Sequence, residues 1–189
     1  MRIYTDPACI DHEVPEGHPE RSERLQALMR FFEASGISKD HPLRTPQPAP
    51  TNAILRAHPQ AYIDFLGSLN SSLSETLANE RLLPVDPDTW MGPHSLMAAY
   101  AAAGAVCEGV DALLSGTTQR VFCAVRPPGH HAEQASAMGF CLFNSIAIGA
   151  LQALSHTDIE RVAILDFDVH HGNGTAGLSL KISTVPLPW

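Results

Sequence analysis

Positive charge is scarce in this sequence of 189 residues: 12 lysines and arginines stand against 20 aspartates and glutamates, a net charge of −8 with histidine neutral. There is no lysine- or arginine-rich run, so the chain has no electrostatic grip of its own on a nucleic acid backbone, and direct nucleic acid binding is not expected. Cysteine is sparse too. Cys9, Cys107, Cys123 and Cys141 lie far apart without a CxxC pair, which argues against a disulfide framework or a thiolate zinc site and points to the reducing cytosol. No apolar run is expected to reach the roughly 18 residues of a membrane span, and Met1 to Pro7 carries no basic stretch followed by an apolar one, so neither membrane insertion nor export is expected.

What is present suits one folded domain: 44% of residues are hydrophobic and 17% charged. Arg2 to Thr5 reads as a short strand and His18 to Ser35 as a helix with Leu25, Leu28, Phe31 and Phe32 at helical spacing, ended by Gly36. Lys39 to Thr51, with four prolines, reads as a surface connection, and Pro59 to Leu69 as a second helix. Val85 to Pro93 is expected to be a loop. Ser95 to Leu114 is the clearest helix, opened by a serine cap and carrying an apolar stripe through Ala99, Ala103, Val106, Val110 and Leu113. Arg120 to Val125 and Arg161 to Phe167 are nearly continuous apolar runs, the pattern of strands buried on both faces, with an apolar helix from Asn144 to Leu154 between them. Strand, helix, strand over that distance predicts a crossover unit, hence an α/β fold with an open, mostly parallel sheet flanked by helices.

Four of the ten histidines fall in two pairs, His130–His131 and His170–His171, each just after an expected central strand, where ligands of open α/β sheets bind. Pro127, Pro128 and Gly129 before the first pair block further regular pairing and permit a sharp turn that can aim both rings into one cavity. Two adjacent imidazoles behind such a turn are hard to bury as neutral packing. In the second stretch, 166–174, residues two apart share a face of an extended chain, so Asp166, Asp168 and His170 project together. Oxygen and nitrogen donors without thiolate suit zinc, iron, manganese or nickel. Asp168 and His170, nearest the mouth, are the expected metal ligands; Asp166, one pleat deeper, is placed to orient a histidine.

The segments 126–132 (RPPGHHA), 139–150 (GFCLFNSIAIGA) and 165–175 (LDFDVHHGNGT), together with 18–25 (HPERSERL) and 85–89 (VDPDT), resemble the zinc-dependent histone deacetylase family, which includes acetylpolyamine amidohydrolases; the HHGNGT segment is similar to the class II-like branch. The resemblance implies an arginase-like α/β sheet and a Zn2+-dependent hydrolysis of an acetyl amide on lysine or on a polyamine. By that resemblance Asp168 and His170 are zinc ligands, and His130 and His131 are the tandem catalytic histidines. Asp166 is the carboxylate partner of His130 and part of a site for K+ or another monovalent cation. Asn173 stands where some relatives carry a second carboxylate; a neutral partner stabilises a charged His131 less than an aspartate would, so His131 is expected to stay neutral and act as general base, and Asn173→Asp to raise the acidic limb of a pH–rate profile. Phe140 resembles an aromatic wall of an acyl-lysine tunnel, with a core position as the alternative; Gly139 would offer backbone. Asp86 resembles a rim carboxylate, with Asp88 close enough to exchange roles and a turn as the plainer reading. Arg24 resembles an arginine near the inner end of the pocket, or else pairs with Glu20 on its own helix.

The family pattern also needs a third ligand aspartate and a Gly-Gly-Tyr segment farther on. No Asp or Glu follows Asp168, and the tyrosines are Tyr4, Tyr62 and Tyr100. The expectation is therefore that residues 1–175 are the N-terminal portion of one deacetylase-like domain, truncated or frameshifted, with 176–189 a divergent tail. Such a chain would be weakly active or inactive, or a non-catalytic binding protein. An arginase-type site with two manganese ions would need more bridging carboxylates than the chain offers.

Overall fold

The structure is a computed structural model that describes residues 1–75 and 82–178 and the backbone of 183–184. In chain order the elements are β1 (Arg2–Tyr4), α1 (Ala8–Asp11), α2 (Ser22–Ala34), α3 (Ile37–Asp40), β2 (Leu43–Arg44), α4 (Thr51–Ile54), α5 (Gln60–Glu75), β3 (Leu83–Asp86), β4 (Thr89–Met91), α6 (Ser95–Leu114), β5 (Val121–Cys123), α7 (Ser145–Leu154), β6 (Ala163–Ile164), α8 (Asn173–Gly177) and β7 (Ser183–Thr184). Strands β2, β1 and β5 form a parallel sheet in that order, with Ile3 opposite Leu43 on one side and Phe122 on the other. The α/β class and a parallel sheet flanked by helices are as expected, although the strands that pair are β2, β1 and β5.

Alternation along β5 shows how helices cover both faces. Val121 lies against Gly109 of α6, whereas the Phe122 ring meets Phe32 of α2 at 6.0 Å. Helix α6 packs on β1, β5, α1 and α7. One core cluster gathers Ile54, Leu66, Met91, Leu142, Phe143 and Ile148 between α4, α5, α6 and α7; a smaller one joins Ile3, Cys9, Leu25 and Phe32 on the other side. Each fully buried large side chain contributes about 1.5–3 kcal/mol.

Several expectations need correction. Residues 83–91 form a hairpin rather than a loop: Leu83 pairs with Met91 and Asp86 with Thr89, around a turn in which Asp86 Oδ1 accepts from the Asp88 N–H at 3.1 Å. Helix α6 is long and apolar enough to cross a membrane by length and composition, contrary to the reading that no run approaches a span; small residues hid this, and its buried alanines pack it as a core helix. Ser95 does not cap α6 through its side chain. It is the first helical residue, and its hydroxyl accepts from the Gly92 N–H at 2.8 Å.

The two central runs are shorter and more exposed than expected. Strand β5 is flanked on both faces, yet Phe122 stays 43% exposed, and β6 has only two residues. Its partner is not β5. Strand β6 pairs in parallel with β7, so among the described residues the crossover does not close into the main sheet. Leu165 and Phe167 point largely into solvent, at 59% and 84% exposure. Of the tail 176–189, residues 179–182 and 185–189 lie outside the described residues.

Candidate active site

Two segments leave the sheet region side by side. The chain after β5 carries Arg126 to His131, and the chain after β6 carries Asp166 to Asn173. Arg126 anchors the first. It is buried, forks the buried Glu20 carboxylate at 2.6 and 2.8 Å, and also donates to the carbonyls of Cys9 at 2.7 Å and His12 at 3.2 Å. Arg24, expected near a pocket end or beside Glu20, is the outer partner: it lies 3.7 Å from Glu20 and is 64% exposed.

Asn144 ties the two segments together. As N-cap of α7 its Oδ1 accepts from the Ala147 N–H at 3.1 Å, while its Nδ2 donates to the Ala132 carbonyl at 3.0 Å and to Thr175 Oγ1 at 3.2 Å. The Thr175 N–H in turn donates to the His130 carbonyl at 3.1 Å. Behind this junction, buried His58 accepts the Asn144 N–H at Nε2, 2.9 Å away, and donates from Nδ1 to the Gln134 carbonyl at 3.0 Å. Burial lowers the His58 pKa, so the ring is held neutral in the tautomer these two bonds require.

The paired histidines stand 4.1 Å apart, ring centre to ring centre. His130 Nδ1–H donates to Asp166 Oδ2 at 2.9 Å, and His131 Nδ1 lies 2.6 Å from Asn173 Oδ1. Both Nδ1 atoms are thereby taken, leaving the two Nε2 atoms for other work. Two glycines make this approach workable. A Cβ at Gly172 would overlap Asp166 Oδ2, and one at Gly139, whose φ is +56°, would overlap the His131 ring. A cleft of about 590 Å³ borders His130, Asp166 and Asp168; a roomier one of about 670 Å³ over Asp11, Glu13 and Arg21 contains neither histidine pair.

Asp168 Oδ1 accepts from the His170 N–H at 2.8 Å and faces His170 Nδ1 at 3.2 Å. The backbone bond is the largest cause holding the Asp168 carboxyl below the usual carboxylate range. His170 is 75% exposed, and its ring lies 6.1 Å from that of His131. An ionised carboxylate and an imidazole are donors that suit zinc, so the donor chemistry fits. The number does not reach the usual three: among the described residues no group of three His, Cys, Asp or Glu side chains is placed to hold a metal ion.

Asp86 and Asp88 divide their roles. Asp86 accepts the backbone of its own turn, and partial burial with Asp88 nearby raises its pKa. Asp88 Oδ1 accepts the Gly139 N–H at 3.1 Å, so Asp88 is the carboxylate joined to the Gly139–Phe140 segment. Phe140 stands outside both core clusters, with φ of +69° and its ring edge-on to His18 at 4.5 Å. The buried Arg126–Glu20 pair, the Asn144 hub and the contacts of Glu133 and Met138 with Asn173 were not read from the sequence. Only Asn144, directly before an apolar helix, carried a local signal.

A family model described as the histone deacetylase domain matches residues 18–185. The chain belongs to the histone deacetylase family. It is 36% identical over 162 residues to the histone deacetylase-like amidohydrolase of Pseudomonas aeruginosa, covering 86% of this chain and 40% of that protein. With the probable deacetylase of Methanothermobacter thermautotrophicus it shares 37% identity over 164 residues, 86% of this chain and 46% of the relative. The crystal structure of the HDA15 HD domain superposes with a TM-score of 0.87 at 28% identity, over 97% of this chain and 51% of that one. The chain thus has the arginase-like deacetylase fold in part, and it spans about half the length of the relatives it matches or less.

Proposed function

We propose that this chain carries the proton-handling half of a zinc-dependent amidohydrolase site that removes acetyl groups from lysine side chains of proteins or from acetylated polyamines. The observation that carries the reading is the histidine pair itself. Two rings 4.1 Å apart are each anchored at Nδ1, one on a carboxylate and one on an amide. Asp166 supplies compensating charge for a proton on His130 and so suits it to deliver that proton to a leaving amine. Asn173 gives His131 no such charge but holds its Nδ1, which leaves Nε2 to take a proton from water. Asp168 and His170 would hold zinc together with a third donor, and bound zinc would polarise the amide carbonyl. Gly139 and Phe140, held by Asp88 and Thr89, would line the path of the acyl chain; Asp86 would shape the turn beside it. A monovalent cation such as K+ near Asp166 belongs to the same proposal. The four free thiols support a reducing compartment such as the cytosol.

With two ligands and no tyrosine after residue 100, turnover by these 189 residues is expected to fall at least about a hundredfold below that of a complete site. The test is acetate release from an acetyl-lysine peptide and from an acetylated diamine, with zinc present, by the chain and by His131→Ala. Slow release that depends on His131 supports the reading. Equal rates for the two refute it, and then tight peptide binding without turnover would favour the second reading, a non-catalytic binding protein, which the two-donor metal set favours.

A further inference from the structure

Behind His131 stands an amide, and an amide can face an imidazole with its oxygen or with its nitrogen. The choice decides where the His131 proton sits. With Oδ1 inward, Nδ1 carries the hydrogen and Nε2 keeps its lone pair; with the NH2 inward, Nδ1 must accept, and the proton moves to Nε2, which can then take none from water. The two acceptors on the far side of Asn173 resolve this. Its Nδ2 donates to Glu133 Oε1 at 3.1 Å and to Met138 Sδ at 3.2 Å, and a flipped amide would set Oδ1 against a carboxylate. Glu133 is itself held, since its Oε2 accepts from Ser136 Oγ at 3.3 Å and its N–H donates to the Ser136 carbonyl at 3.0 Å.

We infer that Glu133 is a positioning residue that orients the Asn173 amide and through it keeps His131 in the Nδ1–H tautomer. It lies only two residues from His131 in sequence, yet it acts through a residue 40 positions away. The chain His131, Asn173, Glu133 places a carboxylate one hydrogen bond beyond the neutral amide. Thioether sulfur is a weak acceptor, so Met138 adds little to the choice. The inference rests on the proposed role of His131 as base, but its readout does not.

The test uses the full 189-residue chain with 15N-labelled histidine rings, read by long-range 1H–15N correlation at a pH where His131 is neutral. The wild type, Met138→Leu and Glu133→Gln, which keeps an acceptor, are expected to show a protonated Nδ1 and a bare Nε2. Glu133→Ala is expected to give a mixture of tautomers. Glu133→Lys, a donor in place of the acceptor, is expected to invert them. The Lys variant alone decides the matter if the Ala variant loses its backbone dispersion, since Lys keeps a long side chain at this exposed position. A wild-type tautomer retained in Glu133→Lys overturns the inference, as does an Nε2–H tautomer in the wild type. Absent acetate release with these tautomers intact would count against the amidohydrolase reading and leave the role of Glu133 standing.

Discussion

Replacing Arg126 by Met tests how the histidine loop is held. The guanidinium makes two bonds to Glu20 and one each to the carbonyls of Cys9 and His12, all within buried surroundings. Methionine fills much of the volume but donates nothing, so a carboxylate that is 2% exposed loses its fork and keeps the outer Arg24 at 3.7 Å and the buried His12 Nε2 at 3.6 Å. Removing one member of a buried ion pair costs about 3–5 kcal/mol, mostly because the other charge is stranded. Against a native stability of about 5–15 kcal/mol, that removes a large share. The assay is urea unfolding followed by circular dichroism at pH 7, with the single variants Arg126→Met and Glu20→Leu and the double variant. The double variant is expected to recover at least about 2 kcal/mol relative to the sum of the singles, since no charge is then stranded. A cost below about 1 kcal/mol for Arg126→Met, or strictly additive singles, would refute the reasoning.

Other consequences follow from the same surroundings. Burial, with Arg126 adding to it, lowers the His12 pKa to about 3 from 6.5, so the unfolded chain binds more protons than the folded one between those values. Stability present above pH 6.5 is therefore lost as pH falls through that window, by up to about 1.4 kcal/mol per pH unit from this group, and buried His58 adds in the same direction. Unfolding midpoints of the wild type and His12→Gln measured from pH 7 to pH 5 should converge; parallel curves would contradict this. Asn144→Ala should cost about 2–4 kcal/mol, from the lost cap and the stranded Ala132 carbonyl, and equal thermal stability would contradict that. Gly172→Ala should part His130 from Asp166, seen as a shift of the His130 ring nitrogen signals with little change elsewhere; an unshifted ring would show that the loop accommodates the added methyl.

How much of this was legible in the sequence depended on whether the signal was local. Helix α6 was read with its observed ends because a long apolar, alanine-rich run and Gly116 mark them without help from distant residues. The hairpin at 83–91 was misread as a loop over 85–93 because Pro87 and Pro93 read as loop punctuation, whereas Pro84 pairs with Trp90 and Asp86 with Thr89, with Val85 at the register shift between them. The run 161–167 announced a strand but not its neighbour; pairing is non-local, and β6 meets β7 rather than β5. In the site, the paired histidines and the alternating 166, 168 and 170 positions were visible because they are adjacent in sequence. The supports were not. His58 reaches Asn144 across 86 residues and Arg126 reaches Glu20 across 106, separations that only the folded chain closes.

The measurement that bears most directly on the metal site is a calorimetric titration of zinc into the 189-residue chain and into Asp168→Ala and His170→Ala. One equivalent of zinc bound by the wild type, more weakly than a three-ligand site would bind it and lost in both variants, is the predicted result. No zinc bound, or binding that neither substitution changes, would contradict the assignment of Asp168 and His170 as the metal-holding pair.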